Sequence, residues 1–256
     1  MRYMGSKNKY SKNLVPIIQK YIDENNIENF ISCFCGGANL EDKIQCKNVI
    51  ANDLSPTLIA LHKQAQEDFS KIPEHGDREF WDKSYLEWKK INTSKDKQYI
   101  PEIPLFKIGA IEWYGSYCNG GFKRGYAKPS LERDYYLEGY NSHKKQAEQP
   151  LYKKILFQQG DYLDIKFEDY CKFKSVLYCD APYANTTPYG ISPNFNFKLY
   201  YSFLQAVSCY IPIFVSEQYL PPEFDKYLIW SKEVVRTINR ENNFRTCEKL
   251  YLIDRR

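Results

Sequence analysis

The sequence has little that would suit a membrane, a secretory route or a metal-bound scaffold. No apolar run approaches the roughly 20 residues that a membrane span needs. The N-terminal "MRYMGSKNKYSK" is basic but leads into no apolar signal-peptide core, so cytoplasm is the expected compartment. Eight cysteines are present, yet no Cys-x-x-Cys pair or His-x-His cluster accompanies them. Cys33 and Cys35 are one residue apart, and Cys33, Cys179 and Cys209 sit in or beside apolar runs. They read as small reduced core residues, and no metal is expected. Internal repeats, low-complexity tracts and a G-x-G-x-x-G dinucleotide fingerprint are missing too.

What is there is an ordinary globular composition, 43% hydrophobic and 27% charged over 256 residues. That length builds one large α/β domain, or a domain with a sizeable insertion. The net charge is +4, while Tyr occurs 23 times, Phe 15 and Trp 4. Modest basicity with many aromatics fits local contact with nucleic acid, and equally a Tyr-rich surface.

Short apolar runs recur at Phe30–Cys35, Asn48–Ala51, Val176–Cys179, Ile211–Val215, Tyr227–Trp230 and Leu250–Ile253, and they read as buried strands. Helical spacing separates several of them. Asn13 precedes "LVPIIQKYIDEN" as a cap, with Pro16 expected in the first turn. Ser55 and Pro56 stand at the N-cap and first position of "LSPTLIALHKQAQEDF". "FKLYYSFLQAVSCY" is a further helix. The alternation predicts a mostly parallel sheet covered on both faces. It lapses between Glu67 and Gln149, where an insertion with its own helical patterns is expected, including one from Leu131 to Glu148. Near the C-terminus, Asn242-Asn243 between two extended segments suggests a hairpin.

Two places carry chemistry. In "NFISCFCGGANLED" a strand runs into Gly36-Gly37, which lets the backbone turn sharply and approach a ligand. Sixteen residues later a second strand ends in Asp53, placed to accept from both hydroxyls of a ribose. A plain β-turn with a helix-terminal charge would look alike for the glycines alone. Since the phosphate cradle is missing, a cofactor with adenosine but no pyrophosphate fits better, and S-adenosylmethionine is one.

The second place is "SVLYCDAPYANTTPYG". Methylating an exocyclic amine is hard because its lone pair is delocalised into the base. Accepting hydrogen bonds from both N–H groups localises that pair. Asp180 supplies one acceptor and the backbone carbonyl of Ala181 the other, with Pro182 restricting residue 181 to extended conformations. Tyr183 offers a face on which an extruded base can stack. A strand ending in an Asx-type turn would show the same letters.

Taken jointly and in order, these segments resemble the Dam-like DNA adenine-N6 methyltransferases of phages and restriction–modification systems, over nearly the whole length. "RYMGSK" is similar to that family's N-terminal cofactor motif, which implies Tyr3 and Lys7 on the methionine end of S-adenosylmethionine. "FCGGAN" resembles its glycine motif, with Cys35, Gly36 and Gly37, and Asp53 matches its ribose-binding acid. "QGDYLDI" matches a motif whose Asp161, beside Tyr162, lies near the cofactor adenine. "YCDAPYANTTPYG" resembles the catalytic D-P-P-Y segment, Asp180 also lying at the cofactor, but has Ala181 in place of the first proline. Alanine keeps the carbonyl and loses rigidity, so reduced activity is an expectation. "YGSYCNGGFKRGYAK" resembles part of the DNA-binding region and implies Tyr117, Asn119, Lys123, Arg124 and Tyr126 at DNA.

The resemblance implies a Rossmann-like methyltransferase fold with a mostly parallel sheet, a C-terminal hairpin and an inserted, largely helical recognition region. Residues 1–66 and 150–256 would form the catalytic domain, and 67–149 the target-recognition region. The expected reaction is methyl transfer to adenine N6 in duplex DNA with the base flipped out, by a monomer. From Lys107 to Lys145 seven Lys or Arg stand against four Asp or Glu, with eight aromatics, and Gly120-Gly121 and Gly125 bracket "FKR". Such a loop reaches phosphates or base edges, or is a solvated hairpin. Two competing readings are methylation of RNA or a protein amide, and a catalytically impaired DNA-binding protein.

Overall fold

A computed structural model describes residues 1–93, 99–167, 170, 174–182, 195–239 and 242–256. Its centre is a seven-stranded sheet: β1 Asn29–Ser32, β2 Asn48–Asp53, β3 Leu156–Gln159, β4 Ser175–Cys179, β5 Ile213–Glu217, β6 Leu228–Asn239 and β7 Asn242–Ile253. The order across the sheet is β3-β2-β1-β4-β5-β7-β6. The first five in that order run parallel, β7 runs antiparallel to β5, and β6 antiparallel to β7. This is the α/β methyltransferase-like fold expected, with its C-terminal hairpin.

The inner strands β1, β2, β4 and β5 are largely buried because both faces are covered, and alternate residues serve opposite faces. Phe30, Val49, Ala51, Val176 and Tyr178 belong to one core. Ile31, Ile50, Leu177, Cys179 and Val215 belong to the other. At about 1.5–3 kcal/mol for each large side chain removed from water, the two cores supply the main driving force for folding.

The helices are α1 Ser11–Glu24, α2 Pro56–Glu67, α3 Arg78–Thr93, α4 Leu105–Tyr114, α5 Tyr135–Ala147 and α6 Phe197–Val207. Ser55 caps α2 as expected, its Oγ accepting from Leu58 N at 3.2 Å, with Pro56 in the first turn. Helix α1 differs from expectation. It begins at Ser11 after Tyr10, which makes no side-chain cap, so Pro16 lies inside the helix and Asn13 is not its cap. The hairpin differs in register too. Asn242 pairs with Asn239 and Asn243 with Thr237, so both asparagines begin β7 and do not form the turn. Strand β3 is absent from the expected runs, because "LFQQ" buries Phe157 alone at the sheet edge. Among the described residues no helix is long and apolar enough to cross a membrane.

Between α2 and β3 the chain leaves the sheet and forms α3, α4 and α5. These helices share the first core with the sheet through Trp81, Trp88, Ile111, Tyr114 and Tyr140. The topology reverses between β1 and β4: the chain after β1 proceeds to β2, whereas β5 lies on the far side of β4. Outside the carboxyl ends of those two strands lies the crevice where open α/β sheets bind ligands.

Candidate active site

A cleft of about 900 Å3 opens at that reversal, lined by segments from all along the chain. Strand β1 delivers Phe34, Cys35, Gly36 and Gly37, β2 delivers Asp53, and β4 delivers Asp180, Ala181 and Pro182. The loop after β3 adds Asp161 and Tyr162, and the N-terminal turn adds Tyr3 and Lys7. From the helical insertion come Lys123 and Arg124.

Gly36 has φ +49°, a left-handed conformation that favours glycine. Any side chain at either glycine would also collide. A Cβ on Gly36 would lie 2.9 Å from the Tyr3 ring, and one on Gly37 would lie 2.6 Å from Asn39 Nδ2. The turn is fixed from below by Asp53, whose Oδ2 accepts from Gly36 N at 2.9 Å and whose Oδ1 accepts from Ser55 N at 3.0 Å. Burial raises the Asp53 carboxyl, and these backbone donors pull it back down.

Asp180 receives the Lys7 ammonium on Oδ1 at 2.5 Å. Burial pushes its carboxyl up to about 6 against the pull of Lys7, and Glu248 adds to the rise. Asp161 Oδ1 accepts from Leu163 N at 3.0 Å, ending the loop in a tight turn. Tyr162 is 7% exposed, its ring 5.1 Å from Phe34 and 6.0 Å from Phe195. The three rings make an apolar wall beside Asp161. Cys35 is buried and its thiol is pushed up by desolvation, which makes it a wall residue and no nucleophile.

The loop carrying "FKR" is built to present its charges. Phe122 is 4% exposed and anchored against Trp81, with ring centres 4.7 Å apart. Gly121 and Gly125, at φ +81° and +79°, flank one tight turn that holds Lys123 and Arg124 out into solvent.

The family model of D12 class N6 adenine-specific DNA methyltransferases matches residues 3–201. The chain belongs to this family. Among curated proteins none matches it. The protein is thus an adenine-N6 DNA methyltransferase, and DNA is its substrate.

In this methyltransferase the cleft unites most of the anticipated residues: Tyr3, Lys7, Cys35, Gly36, Gly37, Asp53, Asp161, Tyr162, Asp180, Ala181, Pro182, Lys123 and Arg124. Tyr183 lies outside the described residues. Tyr117 is exposed beside Tyr135, ring centres 5.2 Å apart, and does not line the cleft. Asn119 is turned inward at 4% exposure, its amide donating to the carbonyls of Trp113 and Tyr114 at 3.0 and 3.3 Å. Tyr126 is half-buried against Trp81 with the Arg78 guanidinium 5.6 Å above its ring. Both hold the loop rather than face the cleft.

Several lining residues escape the sequence. Phe34 is the first residue of the "FCGGAN" motif but carries no signal of its own. Glu41, Glu112 and Glu248 are 2%, 2% and 3% exposed and line the same cleft. Burial pushes Glu41 up to about 7 and Glu112 to about 8, even though Ser32 and Thr57 each donate a 2.6 Å hydrogen bond to them. Buried acids look in sequence like ordinary surface charges.

Proposed function

We propose that the protein transfers a methyl group from S-adenosylmethionine to N6 of an adenine turned out of duplex DNA, acting as a monomer inside the cell. The observation that supports this best is the sharing of one cleft by Asp180, the glycine turn and Asp53. The cofactor fits the residues present. Gly36 and Gly37 line the cleft with bare backbone, Asp53 would meet the ribose hydroxyls, and Asp161 would meet the adenine against Phe34 and Tyr162. Tyr3 and Lys7 take the methionine end.

When bound, the cofactor supplies an electrophilic methyl group. The chain's own residues do the rest. Asp180 accepts one N–H of the adenine amine and the Ala181 carbonyl accepts the other, so the nitrogen lone pair turns out of conjugation. Pro182 biases Ala181 toward the extended backbone that aims this carbonyl. As N6 gains the methyl it loses one hydrogen, and Asp180, raised to about 6, can hold that proton before solvent takes it. Holding amine and methyl donor in line lowers the barrier by several kcal/mol through positioning, on the order of 7–11 kcal/mol in ideal cases.

Residues 67–149 serve in this reading as the target-recognition region, with Lys123 and Arg124 reaching DNA from the cleft rim and Tyr117 at its outer edge. Asn119 and Tyr126 shape the loop. Ala181 in place of proline loosens the acceptor pair and reduces turnover. The test is incubation of the protein with methyl-labelled S-adenosylmethionine and duplex DNA, followed by nucleoside analysis. N6-methyldeoxyadenosine is expected, and Asp180→Ala should abolish it. Label appearing in RNA or protein and not in DNA would overturn the proposal.

A further inference from the structure

A buried chain of hydrogen bonds ends on the glycine turn, and none of its four side chains lines the cleft. His62, on α2, places Nε2 2.8 Å from the Gly36 carbonyl oxygen and Nδ1 2.8 Å from the Tyr152 hydroxyl. That hydroxyl lies 2.8 Å from His143 Nε2, on α5. His143 Nδ1 in turn lies 2.5 Å from the hydroxyl of Tyr114, the last residue of α4. All four side chains are 0% exposed.

The hydrogen positions follow from the first acceptor. A carbonyl oxygen only accepts, so His62 Nε2 carries the hydrogen. Burial keeps both imidazoles neutral, holding His62 down at about 3 and His143 well below its usual range. His62 Nδ1 is then bare and accepts from the Tyr152 hydroxyl. Having spent its hydrogen, that oxygen accepts from His143 Nε2–H, and His143 Nδ1 accepts from the Tyr114 hydroxyl. One polarity satisfies all four bonds. The plane of the His62 ring is fixed as well, stacked on Phe157 at 4.6 Å and 1°.

Gly36 is therefore held at both polar ends, its N–H by Asp53 and its carbonyl by His62. We propose that His62 is a positioning residue for the cofactor turn, kept in its one useful tautomer by a chain that ends on α4 and α5. The inference rests on the cofactor reading above. It makes the turn sensitive to the seating of the inserted helices, because a shift of Tyr114 or His143 passes through short, directional bonds.

Calorimetric titration of S-adenosylhomocysteine into the full chain tests this, comparing His62→Gln with His62→Asn. The Gln amide can set an N–H where Nε2 stood. The shorter Asn amide reaches only the Nδ1 place and leaves the Gly36 carbonyl unmet. The Asn variant should bind about tenfold more weakly, the Gln variant within about threefold of wild type, with similar losses in melting temperature. Should either fail to fold, Tyr152→Phe replaces it by removing the hydrogen that sets the tautomer. Affinity should then fall, and long-range 1H–15N spectra should find the His62 hydrogen on either nitrogen. Equal affinity in the two His62 variants, or unchanged affinity and tautomer in Tyr152→Phe, overturns the inference. A wild type that binds no S-adenosylhomocysteine overturns the cofactor reading and this inference with it. Binding by the wild type without any difference among variants overturns this inference alone.

Discussion

The ammonium of Lys7 stands 2.5 Å from Oδ1 of Asp180, so the N-terminal turn and the tip of β4 meet in one ion pair. Both side chains are largely out of water, at 6% and 19% exposure. A carboxylate has about four lone-pair sites, so a single ammonium does not exhaust it. Lys7 therefore keeps Asp180 charged in a buried place while leaving it able to accept from an amine. A residue assigned to the cofactor by its sequence neighbourhood thus also governs the acceptor for the target base.

The first prediction concerns that pair. Replacing Lys7 by Met removes the nearest positive charge, so the Asp180 carboxyl should rise above its present value of about 6. Only ionised Asp180 accepts fully from the amine. The acid limb of kcat against pH should stand near pH 6 in the wild type and move to higher pH in the variant. Single-turnover methyl transfer at saturating cofactor measures it. An acid limb that stays in place would detach Asp180 ionisation from the rate.

Glu112 gives a stability prediction. Its carboxyl is raised from 4.5 to about 8, so the folded state holds a proton that the unfolded chain releases. The stabilisation is fully present below pH 4.5 and is lost as pH rises through 8, at up to about 1.4 kcal/mol per pH unit between. Glu112→Gln keeps an acceptor for Thr57 and has no proton to lose. Urea unfolding from pH 5 to 9 should show a flatter curve for the variant and a gap over wild type that widens with pH. Parallel curves would show that Glu112 ionises normally.

For the loop, Lys123→Ala with Arg124→Ala should weaken DNA binding and leave cofactor binding intact. For every phosphate that is no longer neutralised, the slope of log affinity against log salt should become shallower by about 0.9. If Arg124 reads a base, discrimination between cognate and random DNA should shrink more than the slope does. Unchanged affinity and specificity would move this loop away from DNA.

Ala181→Pro should raise the methylation rate with little change in cofactor affinity. Ala181 is 4% exposed and packs in the second core, so its surroundings already limit it. Proline would fix φ at 181 and push Asp180 toward the extended region, tightening both acceptors. The defect it repairs is partial, because Pro182 already restricts residue 181. A slower variant in single-turnover assays would point to a site shaped otherwise.

Much of the site is legible in the sequence because its parts follow strands. A strand tip is marked by an apolar run that stops, and Asp53 and Asp180 both stop one. Gly36 and Gly37 announce themselves because adjacent glycines directly after a strand mark a sharp backbone turn. The rest is hidden for physical reasons. Strand β3 pairs on one edge and buries one ring, so it carries no apolar run. His62 reads as an ordinary polar residue in an amphipathic helix, and its partner Tyr152 lies 90 residues away. Asn119 sits in a glycine-rich stretch that suggests contact with a ligand, yet its amide ties its loop to the end of α4. Which way a polar side chain points depends on tertiary neighbours that no local spacing records.

The place of β7 between β5 and β6 bears on how the chain is made. Strand β7 is the last of the seven to leave the ribosome, but it occupies an interior position. Until it arrives, β5 has nothing on its outer side, and β6 has no partner. Between the synthesis of β5 and that of β7 the nascent chain therefore carries an open, apolar strand edge, the kind of edge that other chains can extend. Completion of the sheet waits on the final dozen residues of the fold, so a premature stop before Asn242 would yield a sticky fragment rather than a smaller enzyme.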